Sequence, residues 1–279
     1  MDHLKAPGMA ESPRPRGRPR SFHDKTGQNT VQSLDRALGL LDLLAAGPGL
    51  TLSELAVQAG QSPATVYRAL VTLQSHGMVE QEEPGQIWHI GSGAFRVGSA
   101  FLRRTKVVER ARRPMDELMR ATGETANLGV ESGDEVLFLS QVETHEAIRA
   151  FFPPGTKGPM HVSGIGKALL AWYPPDRVRG ITARRGLPGF TGRSLTSAEA
   201  LTADLAATRA RGFAIDDQER AEGMRCIAAP IFNAHGEPVA GLSVSGPAFR
   251  MGLEGAGAIG ARVRAAADSV TEATGGQRP

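Results

Sequence analysis

The most constraining stretch of this 279-residue chain runs from Thr51 to Gly77. Thr51-Leu52-Ser53-Glu54 has capping-box form, a hydroxyl at the cap and a carboxylate three residues later, and it opens a short helix that ends at Gly60. Only Gln61 separates that end from Ser62-Pro63, a capping serine followed by proline at the first helical position, so a second helix runs from there to about His76. A short helix, a tight turn and a second helix beginning with small polar residues form the helix-turn-helix arrangement. In that arrangement the second helix offers its N-terminal side chains to base edges in the major groove, which makes Ser62, Ala64, Thr65, Tyr67 and Arg68 the candidate DNA contacts. Leu70, Val71 and Leu73 are expected to pack inward.

An ordinary helical hairpin carries the same local signature, so the flanks matter. Upstream, Leu34, Leu38, Leu41 and Leu44 recur at helical spacing, Ala37, Leu40 and Ala45 widen the stripe, and Gly47-Pro48-Gly49 stops the helix. Downstream, Met78-Val79-Glu80 and Ile87-Trp88-His89-Ile90 flank the turn tetrad Glu83-Pro84-Gly85-Gln86, the pattern of a two-stranded wing. Residues 31–91 therefore read as a winged helix-turn-helix domain.

Charge is distributed unevenly around this domain. Residues 31–91 carry Arg36 and Arg68 against six carboxylates, a poor balance for attracting phosphate. Residues 92–114 carry Arg96, Arg103, Arg104, Lys106, Arg110, Arg112 and Arg113 against Glu109 alone. Residues 1–30 hold six basic and three acidic side chains among Pro, Gly and Ser, with few apolar residues, and read as a disordered basic arm. Within it, Arg16-Gly17-Arg18-Pro19 is the core of an AT-hook, in which glycine lets the backbone lie deep in a narrow minor groove and Arg16 and Arg18 follow its floor. A solvated tail that only aids solubility has the same composition.

A chain of this length suits about two domains. After a basic helix over 92–113 that Pro114 is expected to interrupt, a further helix runs to Gly123 and the pattern turns to mixed α/β. Strands are expected at 125–131, 135–142 and 147–152, with Ser132-Gly133-Asp134 as a hairpin turn. Helices are expected at 164–172, 176–184 and 196–211. A second hairpin joins 225–232 to 239–245, and a last helix spans about 253–273. The second domain is thus bounded at 114–275, with 276–279 a tail.

Four features of that domain mark out a candidate ligand site. Gly164 and Gly166 flank Ile165 at a helix start, where free N–H groups would meet a carboxylate. Ser243 and Ser245 alternate on a strand and so share a face. The hairpin brings Cys226 beside them, and Asp216 lies just upstream. Each has a plainer reading as packing glycine, solvent-facing serine, core cysteine or turn aspartate. No aromatic patch accompanies them, and aromatic residues make up 5% of the chain, so a pocket for an aromatic acid is the less favoured alternative.

From Ser33-Leu34-Asp35-Arg36-Ala37-Leu38 through Ser62-Pro63-Ala64-Thr65-Val66-Tyr67-Arg68 to His76-Gly77, the N-terminal domain resembles the winged domain of the IclR family of transcription regulators. The resemblance continues through Gly164-Ile165-Gly166-Lys167-Ala168-Leu169-Leu170-Ala171 and Cys226-Ile227-Ala228-Ala229-Pro230-Ile231, and so covers roughly residues 31–275. It implies an α+β chain with a GAF-like effector domain built on a curved antiparallel sheet, and homodimers that pair into homotetramers on double-stranded DNA. In glyoxylate- and pyruvate-binding members an aspartate, a cysteine and two serines surround a small keto acid whose carboxylate sits on helix-end amides. By resemblance, those roles fall to Asp216, Cys226, Ser243, Ser245 and the Gly164-Ile165-Gly166 amides. The implied effector is a small keto or hydroxy acid, glyoxylate first, and no cofactor is implied.

Other function classes fare worse. Cys226, His161 and Asp216 could be written as nucleophile, base and orienting acid, but nothing in the spacing fixes that geometry. The seven histidines are scattered without a metal-ligand spacing. One cysteine precludes an intramolecular disulfide, no apolar run approaches the ~18–20 residues of a membrane span, and the start lacks a signal-peptide pattern, which together point to the cytoplasm.

Overall fold

A computed structural model of the chain describes residues 30–82, 86–104 and 106–279, apart from the side chains of 101–104. The arm with Arg16 and Arg18, the turn residues Glu83, Pro84 and Gly85, and the side chains of Phe101 and Leu102 lie outside the described residues. Two compact units result, divided between Ser99 and Ala100.

The first unit contains α1 (Gln32–Ala45), β1 (Leu50–Thr51), α2 (Leu52–Gln58), α3 (Pro63–Ser75), β2 (Val79–Glu82), β3 (Ile87–Ile90) and the start of α4 (Ser92–Arg104). The capping box forms in full: Thr51 Oγ1 accepts from the Glu54 amide at 3.3 Å, and Glu54 Oε2 accepts from the Thr51 amide at 2.8 Å. Ser62 Oγ accepts from the Thr65 amide at 3.3 Å, with Pro63 opening α3. Leu50 and Thr51 pair with Trp88 and Ile87, adding to the wing a short strand that sequence reading missed, in the order β1-β3-β2.

The core of this unit is Leu40, Leu44, Leu55, Val66, Leu70 and Trp88, with Ala56 and Val79. Two expectations need correction. Leu34 and Leu38 are 57% and 50% exposed, because α2 is only seven residues long and α1 buries just Leu40 and Leu44, in its C-terminal half. Val71 is 42% exposed, because the inward stripe of α3 runs through Val66, Leu70 and Leu73, and the next position lies about 100° further round.

The second unit opens on α5 (Val107–Thr122), which runs through Pro114 rather than stopping there. Ala111 and Met115 are fully buried on either side of the proline, so packing outweighs the one backbone hydrogen bond that proline removes. A six-stranded sheet follows, of β4 (Thr125–Glu131), β5 (Glu135–Val142), β6 (Lys157–Pro159), β7 (Ala214–Asp217), β8 (Met224–Phe232) and β9 (Pro238–Pro247). Its order is β6-β5-β4-β9-β8-β7 and every neighbouring pair is antiparallel. The expected strand at 147–152 is absent; residues 157–159 take that edge, while Ile148 and Phe151 are exposed beside buried Ala150. The 132–134 turn is a tight hairpin, with Gly133 and Asp134 both at φ 67°.

Side chains alternate along the strands and divide the core in two. Ile227, Ala229, Leu242 and Val244 face α5 and α9 (Ala256–Ala273), where Met115, Val263, Ala267 and Val270 complete one layer. Val136, Phe138 and Ala228 face α6 (Gly164–Leu170), α7 (Pro175–Arg185) and α8 (Ala198–Arg211). Cys226, Ser243 and Ser245, each an even number of residues from Ala228 or from one another, lie on this second face.

Candidate functional site

On the first unit, Ser62 at the cap of α3 and Ala64, Thr65, Tyr67 and Arg68 along it are all exposed, while Val66 and Leu70 anchor the opposite side at 0% exposure. The Ser62 and Thr65 hydroxyls lie 2.9 Å apart, so the cap orders two of the five side chains. Arg68 has no ion-pair partner among the described residues, which leaves its guanidinium free for an anion or a base edge.

On the second unit a cavity of about 110 Å³ lies between the sheet and α6. Gly164, Ile165, Asp216, Cys226, Ser243 and Ser245 line it. Register explains the convergence: Asp216 pairs with Cys226, Cys226 with Ser245, and Ser243 with Ala228, so the four polar residues occupy two adjacent rows across three strands. Ser243 Oγ is buried beside the Cys226 sulfur with no partner at hydrogen-bond distance and angle, and Ser245 Oγ lies 3.4 Å from Asn127 Nδ2. Gly164 permits the close packing, since a Cβ there would sit 2.6 Å from Cys226 Sγ.

Gly166 does not line the cavity. Its amide is taken by Ser163 Oγ at 3.4 Å, and a Cβ at this position would run into the Met160 carbonyl, so the second glycine serves helix packing. The helix end accordingly offers the amides of Gly164 and Ile165, the first beside the Cys226 sulfur.

Burial raises the Asp216 carboxyl to about 6, against the Glu219 amide at 2.8 Å and the nearby charge of Lys167. Burial, reinforced by the Asp216 charge, pushes the Cys226 thiol up to about 11, although the neighbouring serine hydroxyls and the Gly164 amide favour the thiolate. Cys226 is therefore a neutral thiol at physiological pH and a poor nucleophile. His161 Nε2 lies 3.0 Å from the Pro188 carbonyl, and burial lowers its pKa. The catalytic arrangement written from sequence is thus unsupported by geometry or protonation. Among the described residues no group of three His, Cys, Asp or Glu side chains could hold a metal ion.

Sequence reading missed three parts of this site. Phe138 and Phe152 stack at 4.8 Å and 11° on the cavity wall, which corrects the expectation that no aromatic patch is present. The alternation of β5 could have flagged Phe138; Phe152 fell in a segment wrongly read as a strand. Lys157 and Arg220 also line the cavity. Behind it, fully buried Lys167 donates to Glu219 Oε1 at 2.5 Å and to the Ile215 carbonyl at 2.6 Å, with Asp204 at 3.2 Å. Burial raises the Glu219 carboxyl to about 7.

A winged helix-turn-helix unit joined to a sheet unit whose largely apolar cavity carries a few convergent polar groups defines a DNA-binding transcription regulator with a ligand-sensing domain. Residues 33–83 match the IclR helix-turn-helix domain, and residues 99–272 match the bacterial transcriptional regulator IclR C-terminal domain. The chain belongs to the IclR family. It is 52% identical over 268 residues to the HTH-type transcriptional regulator BhcR of Paracoccus denitrificans, covering 95% of this chain and 94% of the relative. It is 41% identical over 273 residues to the transcriptional repressor IclR of Escherichia coli, covering 97% and 100%. The crystal structure of the Thermotoga maritima IclR matches with a TM-score of 0.75 at 28% identity, over 88% of this chain and 99% of that one. The family and these relatives are regulators, not enzymes.

Proposed function

We propose that this regulator is controlled by a two- or three-carbon keto or hydroxy acid, glyoxylate first, bound in the cavity between α6 and the sheet. The observation that carries the reading is Ser243 Oγ, buried, unpartnered and on the wall of a cavity of about 110 Å³. A buried hydroxyl without a partner costs about 1–3 kcal/mol, which a ligand oxygen would recover. Size supports a small acid, because even benzene occupies an engineered cavity of about 150 Å³. The amides of Gly164 and Ile165 receive the carboxylate, Ser243 and Ser245 the remaining oxygens, and Cys226 and Asp216 border the carbonyl end. Five or six heavy atoms support about micromolar affinity at best. This reading makes the chain a regulator of a glyoxylate-assimilating route such as the β-hydroxyaspartate cycle.

On the DNA side, Ser62, Ala64, Thr65, Tyr67 and Arg68 read the major groove, and Arg16 and Arg18 enter the minor groove of an adjacent A·T-rich flank. The protein acts in the cytoplasm as a homodimer or homotetramer. No helix among the described residues is long and apolar enough to cross a membrane.

The Phe138–Phe152 stack favours a second reading, an aromatic acid effector. Calorimetry with glyoxylate, pyruvate, glycolate and 4-hydroxybenzoate separates the two. Binding of glyoxylate or pyruvate, weakened by about 0.5–1.5 kcal/mol or more in Ser243→Ala, is expected. Silence with millimolar small acids alongside clear binding of 4-hydroxybenzoate would sink the first reading.

A further inference from the structure

We propose, on the reading of the cavity as an acid-binding site, that Arg220 supplies the positive charge that selects carboxylate effectors, its head held against the ring of Phe190. The charge balance of the cavity requires such a group. An anion entering it meets Asp216 on the wall, with Glu219 and Asp204 behind. Lys167, the buried cation, is committed to Glu219, Asp204 and the Ile215 carbonyl and does not reach the wall. Apart from Lys167, the seven-residue helix α6 brings no formal charge; its start offers only the amides of Gly164 and Ile165, the first already beside the Cys226 sulfur.

Two cations line the cavity among the described residues, Lys157 and Arg220. Both side chains are exposed, and what separates them is restraint: among the described residues Lys157, on the edge strand β6, has no ion pair or cation–π contact to hold its ammonium. Arg220 is held. Its guanidinium carbon lies 4.0 Å from the centroid of the Phe190 ring, a contact that restrains the plane of the group while leaving its N–H edge free. No carboxylate pairs with it among the described residues, whereas the nearby Arg193 and Arg225 both pair with Asp217.

The surrounding loops are built to keep this contact. The Phe190 amide donates to Ser194 Oγ at 2.8 Å, Ser194 Oγ donates to the Glu219 carbonyl at 2.6 Å, and Thr191 Oγ1 donates to the Gln218 carbonyl at 2.8 Å. Segment 190–194 is thereby fastened to segment 218–219. From the other side the Asp216 carboxylate accepts from the Glu219 amide at 2.8 Å, which fixes the turn that leads into Arg220 and makes Asp216 a positioning residue as well as part of the wall. A cation fixed in this way discriminates by charge: it favours an acid over an uncharged isostere of the same shape.

The test is calorimetry on the full chain with pyruvate and glyoxylate, using pyruvamide as the uncharged isostere, for wild type, Arg220→Gln, Arg220→Lys and Phe190→Leu. Wild type is expected to bind the acids at least tenfold more tightly than the amide. Arg220→Gln should lose at least tenfold for the acids, keep pyruvamide within twofold, and flatten the salt dependence of acid binding. Arg220→Lys and Phe190→Leu should fall between, since each retains a charge but loses the stacked geometry. Acid affinity in Arg220→Gln within twofold of wild type overturns the assignment, and so does an equal loss of acid and amide. If wild type binds 4-hydroxybenzoate but neither small acid, the small-acid reading fails alone, and the same comparison with 4-hydroxybenzamide still decides Arg220. A wild-type chain that binds none of the three acids overturns both readings.

Discussion

Glu219 and Arg68 show how differently single side chains are loaded. Glu219 is buried, one oxygen on Lys167 and the other without a partner, and burial raises its carboxyl from 4.5 to about 7. A folded-state pKa above the unfolded one contributes stability that is full below about 4.5 and is lost as pH rises through about 7. Asp216 acts in the same direction, from 3.8 to about 6. Glu219→Gln cannot ionise, so its stability relative to wild type should improve by on the order of 1–3 kcal/mol between pH 4.5 and 7, read from denaturant midpoints. A stability difference that stays flat across that window would show that Glu219 does not titrate there. Arg68, by contrast, stands exposed on α3 and has no ion-pair partner among the described residues. Arg68→Ala should cost about 1–3 kcal/mol on the operator if it makes a bidentate base contact. Equal loss on random DNA would assign it to phosphate alone.

Elements obeyed their local codes where those codes close on themselves. Thr51–Glu54 and Ser62–Pro63 opened α2 and α3 as written, because a cap satisfies its orphan amides with side chains three residues away. Pro114 failed as a stop signal, and 147–152 failed as a strand, since each depends on a distant partner: Ala111 and Met115 in the core for one, a free sheet edge for the other. The pair Gly164 and Gly166 shows the same split inside one helix turn. Both read as carboxylate amides, yet only Gly164 reaches the cavity, while Gly166 is pressed against Met160. Gly166→Ala should therefore destabilise the second unit by about 1–3 kcal/mol through overpacking. The same change at Gly164 drives a methyl toward Cys226 Sγ and should weaken acid binding as well. Thermal melts with and without acid distinguish the two, and a melting temperature of Gly166→Ala equal to wild type would show that Met160 yields freely.

For the whole molecule, charge and cavity belong to different levels of information. The winged domain is mildly acidic, and its phosphate attraction has to come from the basic segments on either side. Removing residues 1–29 should weaken operator binding and flatten its salt dependence in gel shifts; an unchanged slope would leave the arm a role in solubility only. Such charge asymmetry is readable directly, because it depends on composition along the chain and not on the fold. So are the capped helix pair, the wing strands and the alternation that sets Ser243 and Ser245 on one face, because spacings of three or two residues fix them locally. The tertiary structure alone decided which apolar residues stay exposed, as Leu34 and Leu38 do, and which polar ones become buried. It alone stacked Phe138 on Phe152, sank Lys167 between Glu219 and Asp204, and set Arg220 over Phe190. Each of these pairs joins residues 14 to 52 positions apart, a separation closed by sheet register and helix packing, which no local spacing encodes.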